Sequence, residues 1–267
     1  MKRTPVVFIH GAWLHALSWE PWVERFTSRG FRTFAPGWPG EGPVRDMREA
    51  PDTLGGPGLD ALTDHYAAFV RSLDTAPVIV GHSVGGLIAQ RLIAADLGRA
   101  AVAIAPAPIN AILLPASFAR LLSTAASGPG RPSVALSPRV FHRVFANTVA
   151  VEEARRLHEH HVVPAPSRLF ADLGCGAGGP SPHTAVDVAN AARGPLLLVS
   201  GQEDRLVPDA ATRAAFKQYG DTAAVTDLKQ FADRAHSLVI DSGWRQVADH
   251  VLGWLHEQGV RAHSPDG

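Results

Sequence analysis

The stretch Val78 to Ala89, VIVGHSVGGLIA, leaves few folds open to the rest of the chain. A β-branched apolar run enters Gly-His-Ser-Val-Gly-Gly and good helix formers leave it, which spells strand, one tight turn, then helix. Ser83 stands at the apex. The pattern is G-x-S-x-G, in which a serine on a strained strand-to-helix turn is lifted above a sheet. Gly81 and Gly85 flank an apex where a Cβ would collide across the turn, and Gly86 lets the helix start pack close to the strand. The N–H of Val84, directly after the serine, falls at the helix N-terminus, where orphan donors and the macrodipole favour developing negative charge. A bare G-x-S-x-G is common by chance. Its placement between this strand and this helix is what gives it weight.

Around this unit, short apolar runs alternate with amphipathic segments. Residues 5–9 read as a strand buried on both faces, ending in His10-Gly11-Ala12-Trp13. Ser18 is expected to cap a helix through Arg29, with Pro21 in its first turn and Gly30 stopping it. A strand over 31–35 follows, then a Gly/Pro-rich surface excursion over 36–58 with little regular structure. Residues 59–73 read as a helix with Leu62, Tyr66, Phe69, Val70 and Leu73 along one face. The serine strand and its helix, to about residue 97, precede a strand over 100–105. Alternation then breaks. Residues 112–124 and 151–161 look helical, and a glycine-rich loop covers 174–180. It resumes with strands over 195–200 and 223–231 and helices over 210–219 and 243–256. The tail from Arg261 is expected to be disordered. The fold class is therefore α/β, a doubly wound, mostly parallel sheet with a helical cap insertion. The core is expected over 1–105 and 195–260, the cap or lid over 106–194, and the tail over 261–267.

Such sheets put their sites beyond the carboxyl ends of the strands. A serine hydroxyl is a poor nucleophile at neutral pH, so it needs a base, and the base needs an orienting acid. In this kind of fold the order along the chain is Ser, then Asp or Glu, then His. Asp204, in Gly201-Gln202-Glu203-Asp204 after one late strand, and His236, in Arg234-Ala235-His236-Ser237-Leu238 after the last, fit by order and by position. Glu203 and Asp209 are rivals for the acid. His250 and His256 sit inside the last helix and make poorer bases, and the loop after the strand at 100–105 offers only Asn110. The second oxyanion donor is expected from the first loop, through the backbone N–H of Ala12. His10 reads as a buried brace of that loop, and Trp13 as an apolar pocket wall. Ile112, Leu113 and Phe118 are the cap residues expected to meet substrate.

Composition excludes several other classes. Lys plus Arg and Asp plus Glu number 25 each, so no net field recruits nucleic acid or an anionic membrane. The single cysteine, Cys175, excludes an intrachain disulfide framework and a cysteine zinc site. No apolar run is long enough to span a bilayer, and the chain is read as cytoplasmic. His158-Glu159-His160-His161 invites a metal reading. It is not H-E-x-x-H, however, and no further ligand completes a set, so neither metal nor cofactor is expected.

On HGAW at His10, GHSVGG at Gly81, GQEDRLVP at Gly201 and RAHSL at Arg234, the sequence resembles the α/β-hydrolase superfamily over nearly its whole length. It is most similar to small bacterial esterase-like members related to the methylesterase and hydroxynitrile lyase group. The insertion at 106–193 is the least specific part of the match. Lyases of that group carry a lysine just after the catalytic histidine, where this chain has Ser237. The resemblance therefore implies a serine hydrolase cleaving a carboxylic ester or lactone of a fairly apolar small molecule, with Ser83, Asp204 and His236 catalytic. Two alternatives stay open. The same residues could act on another bond (C–C, amide, perhydrolysis), or the chain could be a non-catalytic binding protein on this fold.

Overall fold

The computed structural model describes residues 3–50, 56–110, 112, 132–174 and 181–263. In chain order the elements are β1 (Pro5–Ile9), α1 (Glu20–Ser28), β2 (Arg32–Phe34), α2 (Val44–Glu49), α3 (Leu59–Arg71), β3 (Val78–His82), α4 (Val84–Ala94) and β4 (Ala100–Ile104). Next come β5 (Ser133–Val134), α5 (Pro138–Val144), α6 (Val151–His161), β6 (Ala165–Pro166) and α7 (Ser167–Asp172). The chain closes with β7 (Leu196–Gly201), α8 (Asp209–Gln218), β8 (Thr226–Phe231) and α9 (Trp244–Glu257).

Six strands form one sheet in the order β2-β1-β3-β4-β7-β8, and every pairing in it is parallel. The continuous apolar runs explain this. β1, β3 and β4 are buried at every position, as strands covered on both faces must be. Edge strand β8 differs, with polar Thr226, Asp227, Lys229 and Gln230 half-buried along it. Strand order reverses between β1 and β3, so the loops leaving their carboxyl ends diverge and open a crevice. Beneath it, Phe8 packs on Trp19 and Phe26 with ring centroids 5.1 and 5.3 Å apart, fixing α1 to the sheet. Each aliphatic or aromatic side chain fully buried in this way contributes about 1.5–3 kcal/mol.

Four expectations change. Ser18 does not cap a helix: a 3-10 turn over Ala16–Trp19 precedes α1, and the His15 ring accepts the Leu17 N–H that opens that turn. The excursion at 36–58 contains the short helix α2 and a buried carboxylate, Glu41. The tail pairs with the N-terminus through its first residues, Thr4 donating from its N–H to the Ala262 carbonyl at 2.8 Å. The segment between β4 and β7 holds two helices the periodicity did not announce, α5 and α7, and a small β5–β6 ladder. Of the helix expected over 112–124 only Ile112 is described, and Cys175 with most of the glycine-rich loop also lies outside the described residues. Among the described residues no helix is long and apolar enough to cross a membrane.

Candidate active site

Ser83 occupies the corner between β3 and α4 with φ 55° and ψ −118°. That conformation is close to one that mirror-type turns reserve for glycine, and a residue with a Cβ stays there only when its surroundings over-determine it. They do. The Ser83 N–H donates to the Ile104 carbonyl at 2.9 Å, extending the β3–β4 ladder through the corner. Its carbonyl accepts from the N–H groups of Gly86, Leu87 and Ala107. A Cβ on Gly81 would overlap the Gly85 carbonyl, so the turn closes only with glycine there. The β1 loop passes directly under the serine: a Cβ on Gly11 would stand 2.6 Å from the Ser83 Cβ. This brings Ala12 beside Val84, the first residue of α4, whose N–H has no intrahelical acceptor.

Ala12, Trp13, Ser83, Val84, Ala107, Phe170, Leu173, Leu206 and Val207 line a narrow cavity. No lining side chain among the described residues is charged. Trp13 donates from Nε1 to the Val134 carbonyl at 3.0 Å and stacks on Phe170 at 4.7 Å, so the wall is built jointly by the β1 loop and the 106–194 segment. Ile112 is half-buried against the core and does not line this cavity. Leu113 and Phe118 lie outside the described residues.

At the neighbouring strand ends, Oδ2 of Asp204 lies 2.6 Å from Nδ1 of His236, with both side chains fully buried. The other carboxylate oxygen accepts the N–H groups of Leu206 and Val207, each at 2.8 Å. Asp204 is thereby locked inside its own turn while facing the imidazole. Glu203 points to solvent, and Asp209 is committed to Ser200, Arg213 and Gln230. Asn110 bonds to Val186 and Gln218. Nε2 of His236 is buried and has no hydrogen-bond partner among the described residues. No hydrogen bond therefore joins it to Ser83 in this structure, and a base commonly closes on its nucleophile only when substrate is bound.

Three residues carry no sequence signal for their role, two of them against this pair and the third against the first loop. His82, next to the serine, donates from Nε2 to the His236 carbonyl at 2.9 Å, and its ring lies 4.6 Å from the His236 ring. Phe145 meets the same imidazole edge-on at 4.7 Å. Glu41 is the partner of His10: its Oε2 is 2.9 Å from Nε2 of that ring, and its Oε1 accepts the Ala16 N–H at 3.0 Å. Burial pushes the Glu41 carboxyl up, but His10, His15 and these contacts outweigh it and hold it down to about 2. His10 thus braces the first loop, as its place after β1 suggests, and it stacks on Trp38 at 4.7 Å.

The histidines of α6 turn apart. His158 bonds the Leu136 carbonyl and His160 the Arg156 carbonyl, and among the described residues no group of three or more His, Cys, Asp or Glu is arranged to hold a metal ion. Burial, with the neighbouring His160, His15 and Arg48, lowers His161 to about 4, and burial beside His236 holds His82 well below the ordinary imidazole range. As pH falls through 6.5, the unfolded chain takes up protons at both positions that the native protein refuses. Their contribution to stability is complete above that pH and is lost progressively below it. Urea unfolding is expected to show about 1–2 kcal/mol less stability from His161 at about pH 5 than at about pH 7.5, with His82 adding a loss in the same direction. A flat profile would contradict these burials.

Comparison with known proteins follows the same lines. Residues 6–250 match the alpha/beta hydrolase family. Among solved structures, a methylesterase from Arabidopsis is similar over 95% of this chain and 99% of its own, at 17% identity and TM-score 0.67. A monoacylglycerol lipase from Paleococcus ferrophilus is similar over 95% and 94%, at 20% identity and TM-score 0.66. Tomato methylketone synthase I, complexed with 2-tridecanone, is similar over 97% and 100%, at 15% identity and TM-score 0.69. At these identities the structures share the fold, and the match over residues 6–250 goes further: the chain belongs to the alpha/beta hydrolase family.

Proposed function

We propose that this protein is a serine hydrolase that cleaves a carboxylic ester or lactone of a small, fairly apolar molecule through an acyl-enzyme. The observation that carries this is the strained Ser83 corner, whose neighbour His82 lies 4.6 Å, ring to ring, from the His236 of a fully buried Asp204–His236 pair with a 2.6 Å contact. In the first half-reaction the Ser83 Oγ–H proton passes to Nε2 of His236 as Oγ bonds to the substrate carbonyl carbon. The carbonyl oxygen becomes an oxyanion held by the backbone N–H groups of Ala12 and Val84, and removing one such donor typically costs about 10²–10³ in rate. Collapse breaks the bond to the alcohol oxygen, which leaves with the proton from Nε2. Water then gives its proton to Nε2 and attacks the acyl carbon, and the acid departs as Ser83 recovers its proton. Asp204 keeps Nδ1 as the donor and stabilises the transient imidazolium.

The uncharged lining supports an uncharged substrate, since a charge in this cavity would lose its hydration without a counter-charge. The residue after His236 is Ser237 and not lysine, which supports ester hydrolysis over cyanohydrin cleavage. Methylesterase and monoacylglycerol lipase relatives support the same bond class. The 106–194 segment serves as the cap, with Phe170 and Leu173 contributing to the acyl wall. No cofactor enters the scheme, and the protein acts as a cytoplasmic enzyme. The test is a panel of p-nitrophenyl esters beside the matching anilide. Uncharged short-chain esters are expected to turn over, with Leu173→Ala shifting the preference to longer acyl chains. Anilide cleavage alone, or no turnover by the folded protein, would contradict the reading.

A further inference from the structure

The turn between α5 and α6 holds both of the loops that carry Asp204 and His236. The Phe145 carbonyl accepts the Ser237 N–H at 2.9 Å, one residue beyond His236. The Asn147 side chain donates from Nδ2 to the Glu203 carbonyl at 3.0 Å, one residue before Asp204. The Phe145 ring, fully buried and stacked on Phe141 at 4.9 Å, meets the His236 imidazole at 4.7 Å and 85°. α5 and α6 lie in the segment between β4 and β7, so contacts from outside the sheet brace its two most distant catalytic loops.

A single Nδ1 contact leaves an imidazole free to swing about that bond. The space it would swing into is taken up by the rings of Phe145 and His82, at 4.7 and 4.6 Å. A base must be aimed within a few tenths of an ångström, and a displacement of about 1 Å can cost about 10² in rate. We infer that Phe145 and Asn147 are positioning residues, which clasp the acid and base loops together and aim Nε2 of His236 at Ser83. This rests on the hydrolase reading. The clasp makes the cap part of the catalytic geometry as well as the pocket wall.

The test uses Phe145→Leu and Asn147→Ala, each assayed for kcat and KM on p-nitrophenyl butyrate, for melting temperature, and for the low-field proton resonance of the Asp204–His236 hydrogen bond. Each variant is expected to lower kcat by about 10- to 100-fold with KM nearly unchanged, and to shift or broaden the resonance. Unchanged kcat and resonance with only a lower melting temperature would make both residues plain packing and overturn the inference. Should Phe145→Leu fail to fold, Asn147→Ala decides, because its side chain is only half-buried. The resonance reads the Asp–His pair whether or not an ester is cleaved. A wild-type protein without turnover whose resonance is nevertheless lost in the variants would sink the hydrolase reading and keep the clasp.

Discussion

Ser83→Ala is expected to fold normally and to lose ester turnover by roughly 10⁴-fold or more, the size of loss that follows removal of a triad nucleophile. The corner is held by backbone hydrogen bonds to Ile104, Gly86, Leu87 and Ala107, none of which needs the hydroxyl. What disappears is the only nucleophilic side chain lining the cavity among the described residues. A companion variant separates strain from chemistry. At φ 55° and ψ −118° any Cβ is strained, so Ser83→Gly is expected to be equally inactive and more stable than wild type by about 1 kcal/mol. Near-wild-type hydrolysis by purified Ser83→Ala would remove the serine from the mechanism. Urea unfolding of both variants checks the stability half.

The second large effect is expected at Asp204. In Asp204→Asn one amide oxygen still accepts the N–H groups of Leu206 and Val207, so the turn survives. The amide group then turns an N–H toward Nδ1 of His236, which forces the unproductive tautomer and cannot stabilise an imidazolium. A loss of about 10⁴ is expected for that change. Glu203→Gln, one residue away, should cost little, because its side chain faces solvent and only its backbone is engaged. Both variants, checked for folding and assayed from about pH 6 to about pH 9, distinguish the acids. A crippled Glu203→Gln beside an active Asp204→Asn would reverse the assignment.

The parts that sequence reading could reach are those where function sits on a local pattern. Ser83, Asp204 and His236 each follow a run of strand-forming residues, and the strand-end rule brings such positions to one crevice. Asp204, the proposed acid, is legible for the same reason, since it begins a tight turn whose N–H groups its short side chain accepts. Glu41 was not legible. It lies among glycines and prolines with no periodicity, and its role exists only because the excursion folds back onto His10. Phe145 and Asn147 were hidden likewise, on a turn whose partners, Ser237 and Glu203, are far along the chain. α5 had a signal that a periodicity search passes over. Its Ser137-Pro138 start is a cap followed by a first-turn proline, and the Ser137 hydroxyl accepts the Val140 N–H. Ser18 shows the opposite failure, a capping residue type displaced by the 3-10 turn that His15 sets up.

The central claim is that Ser83 is an activated nucleophile. Exposing the native protein to a fluorophosphonate and measuring intact mass, then mapping the adduct by peptide sequencing, tests it most directly. One adduct per chain on Ser83 is expected, abolished in Ser83→Ala and strongly slowed in Asp204→Asn. An unlabelled native protein, or an adduct on any other residue, would contradict the account.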